Sequence, residues 1–368
     1  MAFPPIPARR VTASLSALLD QARFALSRLD GALGAHADAA AFVTMQRCRE
    51  AVLSSRIENA PSALAPVLAP ALDHGDTESG AGSVEAVRCR LALEDGLAAI
   101  GDKPLSPECL AAVQATLGGP DLEAAAELAA GLAALDEFLV ARQDLPDLVR
   151  IGTAQAQLPR LLPAGLADGR LERIAGLAMF RRLGIPGASA LALSPYFQAR
   201  HASYRASLLG PAEPWLSFFV KGVAESAAQA ADMIRCCADL AREHRAAISA
   251  GMGHAVGRGL RVFDRLTAAP IATVSEIRAI TGTSYVAANH LVAKFAEMGI
   301  LDEITGYRRN RRFQYGPYVR IFDPGEAATR TARKARPVPA PPRSRAPRAR
   351  PAPQPKPSRS PLLSEHLL

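Results

Sequence analysis

The stretch Leu162–Arg173, LPAGLADGRLER, brings together the residue types of an anion site. Pro, Ala and Gly break regular structure, and Gly169-Arg170-Leu171-Glu172-Arg173 then opens a helix that the pattern extends through IAGLAMFRRLG. Free N–H groups and the dipole at a helix N-terminus favour a phosphate or carboxylate. Arg170 and Arg173 add two guanidinium forks that could hold the same anion bidentately. A plainer reading, a loop entering a helix with two solvated arginines, stays open on these residues alone.

A second concentration of chemistry lies nearer the C-terminus. Arg308, Arg309, Arg311 and Arg312 place four guanidinium groups within five positions, a density that suits phosphate contacts beside or within a minor groove. Upstream, Ser284, Tyr285, Asn289 and His290 fall on the exposed start of a predicted helix. No metal site is expected, because His201, His244 and His254 lie on separate segments, none beside a Cys or carboxylate at ligand spacing. The five cysteines, Cys48, Cys89, Cys109, Cys236 and Cys237, are scattered without a CxxC pair. Free thiols in a reducing compartment fit that pattern best.

Helices must position these groups. Leu15, Leu18, Leu19, Ala22, Leu26 and Leu29 recur at helical spacing over residues 12–34, with Thr12 or Ser14 as cap and Gly31 to Gly34 as stop. A second helix is predicted over Ala41–Ile57, with Phe42, Met45, Cys48, Val52, Leu53 and Ile57 inward. After a polar, Gly-rich loop at 73–83, helices follow at Val84–Ile100, Ser106–Leu117, Leu122–Arg142 and Leu145–Leu162. Residues 256–322 change character. Val256–Leu266 is a helix, Ala272–Ile280 a shorter one capped by Thr273 or Ser275, and Thr281-Gly282-Thr283 a turn. Ser284 then caps Tyr285–Met298, with Ala287, Leu291, Val292 and Phe295 inward, before strands at Leu301–Thr305 and Arg312–Tyr315. Helix, short Gly turn and helix make a helix-turn-helix, and the two strands add a wing.

The net charge of +8 on 368 residues is local. From Ala327 onward there are ten Lys/Arg against one acidic residue, Glu365, so the tail carries +9 and the remainder −1. This Pro/Arg/Ala-rich tail has little to bury and is expected to be disordered, either adding nucleic-acid affinity or simply solubilising the chain. The start MAFPPIPARR has no apolar core of a signal peptide. The longest charge-free run, Leu183 to Ala199, is interrupted by Pro186 and Pro195, so no membrane span is expected. The expected location is the cytoplasm.

The Leu15–Asp30 helix followed by EAVLSSRIEN resembles the N-terminal domain of Fic (filamentation induced by cAMP) proteins. Ser54-x-x-x-Glu58-Asn59 is similar to that family's inhibitory helix signature, Ser/Thr-x-x-x-Glu-Gly/Asn. From Leu145 the likeness resumes through LALSPYFQARHASYRASL and WLSFFVKGVAESAAQAADMI, covering about residues 12–322. The resemblance implies a mainly α fold, a Fic-like helical bundle followed by a winged helix-turn-helix domain and a disordered tail. The expected divisions are 1–72, 73–249, 250–323 and 324–368.

The family's active motif, His-Pro-Phe-x-Asp/Glu-Gly-Asn-Gly-Arg-x-x-Arg, falls without gaps on Leu162–Arg173. In active members the His takes the proton of a target hydroxyl as it attacks the α-phosphate of ATP, and here Leu162 has no proton acceptor. The acidic residue holds Mg²⁺, and Leu166 offers no oxygen. The Gly-Asn pair that cradles phosphate becomes Ala167-Asp168. Pro163, Gly169, Arg170 and Arg173 survive, and the resemblance implies an ion pair between Glu58 and Arg173. A β-hairpin flap that holds targets in the family is expected to be missing, since only Leu117-Gly118-Gly119-Pro120-Asp121 separates the two helices flanking it.

The expectation is a non-catalytic Fic-like protein that contacts DNA through its winged helix and basic tail, or serves as an interaction scaffold. No cofactor is expected, with ATP and Mg²⁺ entering only if adenylyltransferase activity persists as the alternative. Self-association is a further expectation, because proteins of this family pair with themselves or others.

Overall fold

A computed structural model of the chain describes residues 12–68, 81–101, 103–123, 125–141, 144–163, 166, 169–306 and 310–323, with 81–83 as backbone only. The basic tail, the loop at 73–80, Ala164, Gly165, Ala167, Asp168, Arg308 and Arg309 lie outside the described residues. The fold is mainly α.

Helix α1 (Ala13–Ala35) starts where Thr12 accepts the Leu15 N–H at 3.3 Å, and buries Leu15, Leu19, Ala22, Leu26 and Leu29. It does not stop at Gly31 or Gly34, as the sequence predicts, but runs on to Ala35. Glycine inside a helix costs about 0.5–1 kcal/mol, and the apolar stripe that packs α1 along α11 (Ala212–Gly251) outweighs this. At 40 residues α11 is about 60 Å long. Its buried face runs from Trp215 and Phe219 through Ala227, Ala231 and Ile234 to His244 and Ile248.

Helix α2 (Ala39–Ile57) buries Phe42, Met45, Cys48, Val52 and Ile57 as predicted, while Leu53 is only half-buried. It also buries polar residues that periodicity does not flag: Gln46, Arg49, Glu50, Ser54 and Ser55. Short α3 (Leu64–Leu68) and α4 (Ala81–Ala99) pack beside it. Helix α5 (Pro107–Leu117) is opened by Ser106, which accepts the Cys109 N–H, and closed by Gly118 at φ +75°. Helix α6 (Ala126–Ala141) starts four residues later than predicted, because Leu122 is buried from an irregular segment instead. Among the described residues between α5 and α6 there is no strand.

Helix α7 (Asp147–Leu161) carries Pro159 near its end, where the missing N–H removes an intrahelical bond and the helix stops two residues on. Helix α8 (Arg170–Arg182) is almost wholly buried. Helices α9 (Ser194–Ala199) and α10 (His201–Leu209) set Tyr196, Phe197 and Tyr204 against Trp215 and Phe218 of α11. Among the described residues no helix is long and apolar enough to cross a membrane.

The last segment runs α12 (Val256–Ala268), β1 (Ile271–Thr273), α13 (Val274–Thr281), α14 (Tyr285–Glu297), β2 (Leu301–Glu303), β3 (Arg312–Tyr315) and α15 (Gly316–Phe322). The antiparallel sheet has the order β1-β3-β2, pairing Ala272 with Phe313 and Leu301 with Tyr315. Thr273 caps α13 in a reciprocal box with Glu276, and Ser284 caps α14 through the Ala287 N–H at 3.2 Å. The inward residues of α14 are Ala288, Val292 and Phe295, with Leu291 half-buried and Ala287 exposed. The buried series Ala288, Val292 and Phe295 has the i, i+4, i+7 spacing of one helix face, which leaves Ala287 one residue round on the open side. Helix α15 returns to α2, where Phe322 meets Phe42 with ring centroids 5.6 Å apart.

Candidate functional site

The site is built where the end of α2 meets the start of α8. Ser54 and Glu58 stand one turn apart on α2, so both face the same neighbour. The helix ends at Glu58, and Asn59 adopts φ +59°, a left-handed stop that Asn tolerates better than most residues. The Gly/Asn position of the sequence pattern is thereby explained by backbone geometry, and Asn59 itself is exposed.

Across from it, Gly169 precedes α8 at φ +86°, and Arg173 follows in the first turn. Arg173 Nε donates to Ser54 Oγ at 2.8 Å and Nη2 to the Ser54 carbonyl at 3.0 Å. Nη1 lies 2.9 Å from Glu58 Oε1, off the line of a directed hydrogen bond, so the contact is an ion pair. Arg173 is 2% exposed and Glu58 18%. Burial alone lowers the Arg173 pKa, but Tyr204 and Glu58 raise it more, and the guanidinium is held charged. Burial of Tyr204 in turn pushes its phenol up, against the opposing influence of Arg173.

The pair lies directly on the Gly169 backbone. A Cβ there would come within 2.5 Å of Glu58 Oε1 and 2.6 Å of Arg173 Nη1. The anion at the N-terminus of α8 is therefore the chain's own Glu58, placed where the helix dipole favours negative charge. Arg170 turns elsewhere, with Nη1 3.3 Å from Glu85 Oε2 of α4. The structure brings Ser54, Glu58, Gly169 and Arg173 together and sends Arg170 to a different partner.

Leu162 and Leu166 are 6% and 9% exposed and join the hydrophobic core. Neither offers a proton acceptor or a metal-binding oxygen. Two groups beside the site escape sequence reasoning. Tyr204 arrives from α10, and Glu50 accepts from Ser194 at both its backbone N–H (2.8 Å) and its Oγ (2.5 Å). Burial raises the Glu50 pKa, with Ser194 and Arg173 opposing. The only sequence signal for Glu50 is its spacing, one turn before Ser54 and two before Glu58.

In the C-terminal segment, Ser284 is exposed at the cap of α14, and Tyr285 and Val286 are 53% and 65% exposed. His290 is exposed on the same helix. Asn289 is half-buried, and its Oδ1 accepts from Arg311 Nη2 at 2.9 Å. Arg311 also approaches Glu303 at 3.8 Å and lies over the Phe313 ring. Arg312 is half-buried on β3, its N–H donating to Thr305 Oγ1. Val286 is the exposed apolar residue that sequence reasoning passed over.

Residues 16–98 match the family model described as Fic/DOC family N-terminal. That segment holds Ser54, Glu58, Asn59 and Glu85, whereas residues 162–173 lie outside it. Among solved structures, the chain is similar to a Fic family protein from Desulfovibrio desulfuricans G20, at 14% identity and a TM-score of 0.48, over 84% of this chain and 98% of that one. No curated protein matches the chain.

Proposed function

We propose that this chain, which belongs to the Fic family through its N-terminal segment, is a DNA-binding regulator without nucleotide-transfer activity. The observation that carries the reading is the burial of Leu162 and Leu166 in the apolar core. The family resemblance puts the proton acceptor and the acidic metal ligand at these two positions. Losing a general base alone costs roughly 10²–10⁴ in rate. ATP with Mg²⁺ does not fit the residues present. Its phosphate would meet the Glu58 carboxylate at Gly169, and the surviving Arg173 is already committed to Ser54 and Glu58.

Support for DNA as partner comes from the order of α12, β1, α13, α14, β2 and β3, which has the outline of a winged helix. The start of α14 presents Ser284, Tyr285, Val286 and His290 outward, a surface suited to base edges and thymine methyl groups. Arg312, with Arg308 and Arg309 shortly before it in the sequence and the basic tail, supplies the cationic groups for phosphate. Asn289 and Arg311 hold each other, and their role in this reading is to fasten the wing to α14.

Calorimetry of the full chain with ATP·Mg²⁺ and ADP, beside a mobility shift on duplex DNA, tests the proposal. Nucleotides should give no binding heat, and DNA affinity should fall steeply with salt. Tyr285→Ala with His290→Ala should weaken it by about tenfold or more, at roughly 1–3 kcal/mol per good base contact. Transfer of labelled nucleotide to the chain or to lysate proteins, abolished by Arg173→Ala, would overturn the non-enzymatic half. DNA binding untouched by the α14 variant would overturn the other half and assign binding to the tail.

A further inference from the structure

A cavity of about 270 Å³ opens between α2, α4, α8 and the turn Ala188–Ala190. It lies at the far end of α8 from Gly169, lined there by Leu177 and Arg181. Glu50, Leu93, Leu177 and Leu191 form a buried floor. Leu97 and Arg47 are half-buried in its wall, and Arg181 and Ser189 are exposed at its mouth.

Three features give this cavity a chemistry. Glu50 is already satisfied, both of its oxygens accepting from Ser194, so it asks for no cation. Arg47 lines the wall half-buried and brings a cation to the cavity. The Arg181 side chain packs on Gly101, where a Cβ would meet Cδ at 2.4 Å and Nε at 2.8 Å, and Arg181 lines the opening.

We propose that this cavity binds a small carboxylic acid with an apolar body, its carboxylate at Arg47 and Arg181 and its hydrocarbon on Leu93, Leu97, Leu177 and Leu191. Guanidinium groups suit a carboxylate head, and the leucine walls reward an apolar tail. The volume falls just below the roughly 300–1,000 Å³ of sites for drug-sized ligands, so the occupant is smaller than those. A bare phosphate would gain nothing from four leucines.

Titration calorimetry of the full chain with octanoate, phenylacetate and inorganic phosphate tests this. Octanoate or phenylacetate should bind with a Kd below about 1 mM, and phosphate should not. Arg47→Gln should weaken binding about tenfold or more, the usual worth of a charged hydrogen bond. Leu97→Trp, which fills the cavity without touching a charge, should abolish it and decides the matter if Arg47→Gln does not fold. Absence of carboxylate binding, or binding that survives both substitutions as attachment to the basic tail would, overturns the proposal. Phosphate binding that matches octanoate and is lost in Arg47→Gln overturns the apolar-body chemistry. None of these outcomes depends on whether the chain binds DNA or transfers nucleotides.

Discussion

Glu58 and Arg173 are a buried pair in which one member keeps a path to water and the other does not. Removing the exposed partner strands the buried one. Glu58→Gln takes from the Arg173 charge its paired carboxylate and leaves it Ser54, Tyr204 and the electrostatic influence of Glu50, so destabilisation of about 3 kcal/mol is expected, the low end for an uncompensated buried charge. Arg173→Met with Glu58→Gln should cost less than the sum of the two single changes, read by urea denaturation. A cost for Glu58→Gln below about 0.5 kcal/mol would place the pair among screened surface contacts instead. Gly169 sharpens the same point. Gly169→Ala meets both a left-handed φ and the ion pair 2.5 Å away, whereas Gly184→Ala meets a similar φ of +62° with no neighbour within 4 Å. Each should lose about 1–2 kcal/mol for the backbone, and the excess at Gly169, in the same denaturation assay, measures the crowding by Glu58 and Arg173.

At the level of elements, the stripe Glu50, Ser54 and Glu58 makes α2 the helix that holds α8 and α9 at once. The same helix takes α15, through Phe42 on Phe322 and through Arg56, which pairs with Asp323 at 2.9 Å. Helix α11 is tied to β3 by His244 Nδ1 and the Tyr315 hydroxyl, 2.8 Å apart. Burial holds His244 below the ordinary imidazole pKa, with Glu243 opposing. The folded state thus favours the neutral ring, and the unfolded chain takes up the proton first. Stability from this contact is full above about pH 6.5 and is lost as pH falls below it. His244→Gln should shrink the drop in urea midpoint between pH 7.5 and pH 5.5, and an unchanged drop would assign the acid sensitivity to other groups. The sequence made most of these helices legible, because their apolar periods are long and their caps, Thr12, Ser106, Thr273 and Ser284, are of the right type. The shorter pieces were hidden for physical reasons. Strand β1 is three residues of apolar sequence that reads equally as a helix start, and the Gly316-Pro317 opening of α15 looks like a break until Pro is seen in the first turn. Ser54, Glu58 and Arg173 were legible through the resemblance. Glu50 was not, because its meaning rests on Ser194, 144 residues away.

Across the whole molecule, the C-terminal segment is not joined to the helical body by a loop alone. Helix α11 runs without interruption from Trp215, which donates to the Gly152 carbonyl of α7 at 2.7 Å, to His244 against β3. Helix α15 closes the circuit from β3 back to α2. Two connections of this kind mean that the sheet and the bundle each lose part of their core when the other opens. Tyr315, Tyr318 and Phe322 are buried by residues of α2 and α11 as well as by their own segment. The described residues should therefore unfold in one cooperative transition rather than two. The chain has one tryptophan, so Trp215 fluorescence reports on the body alone. Hydrogen exchange at the β3 amides of Phe313 and Tyr315 reports on the sheet. In a urea titration the free energy of opening at these amides should match that from Trp215 emission. If the sheet opens at a lower free energy, α11 and α15 act as tethers rather than shared core. The C-terminal segment would then move independently of the Glu58–Arg173 site. If the two agree, Glu58→Gln should lower the protection of Phe313 as much as it lowers the stability read by Trp215.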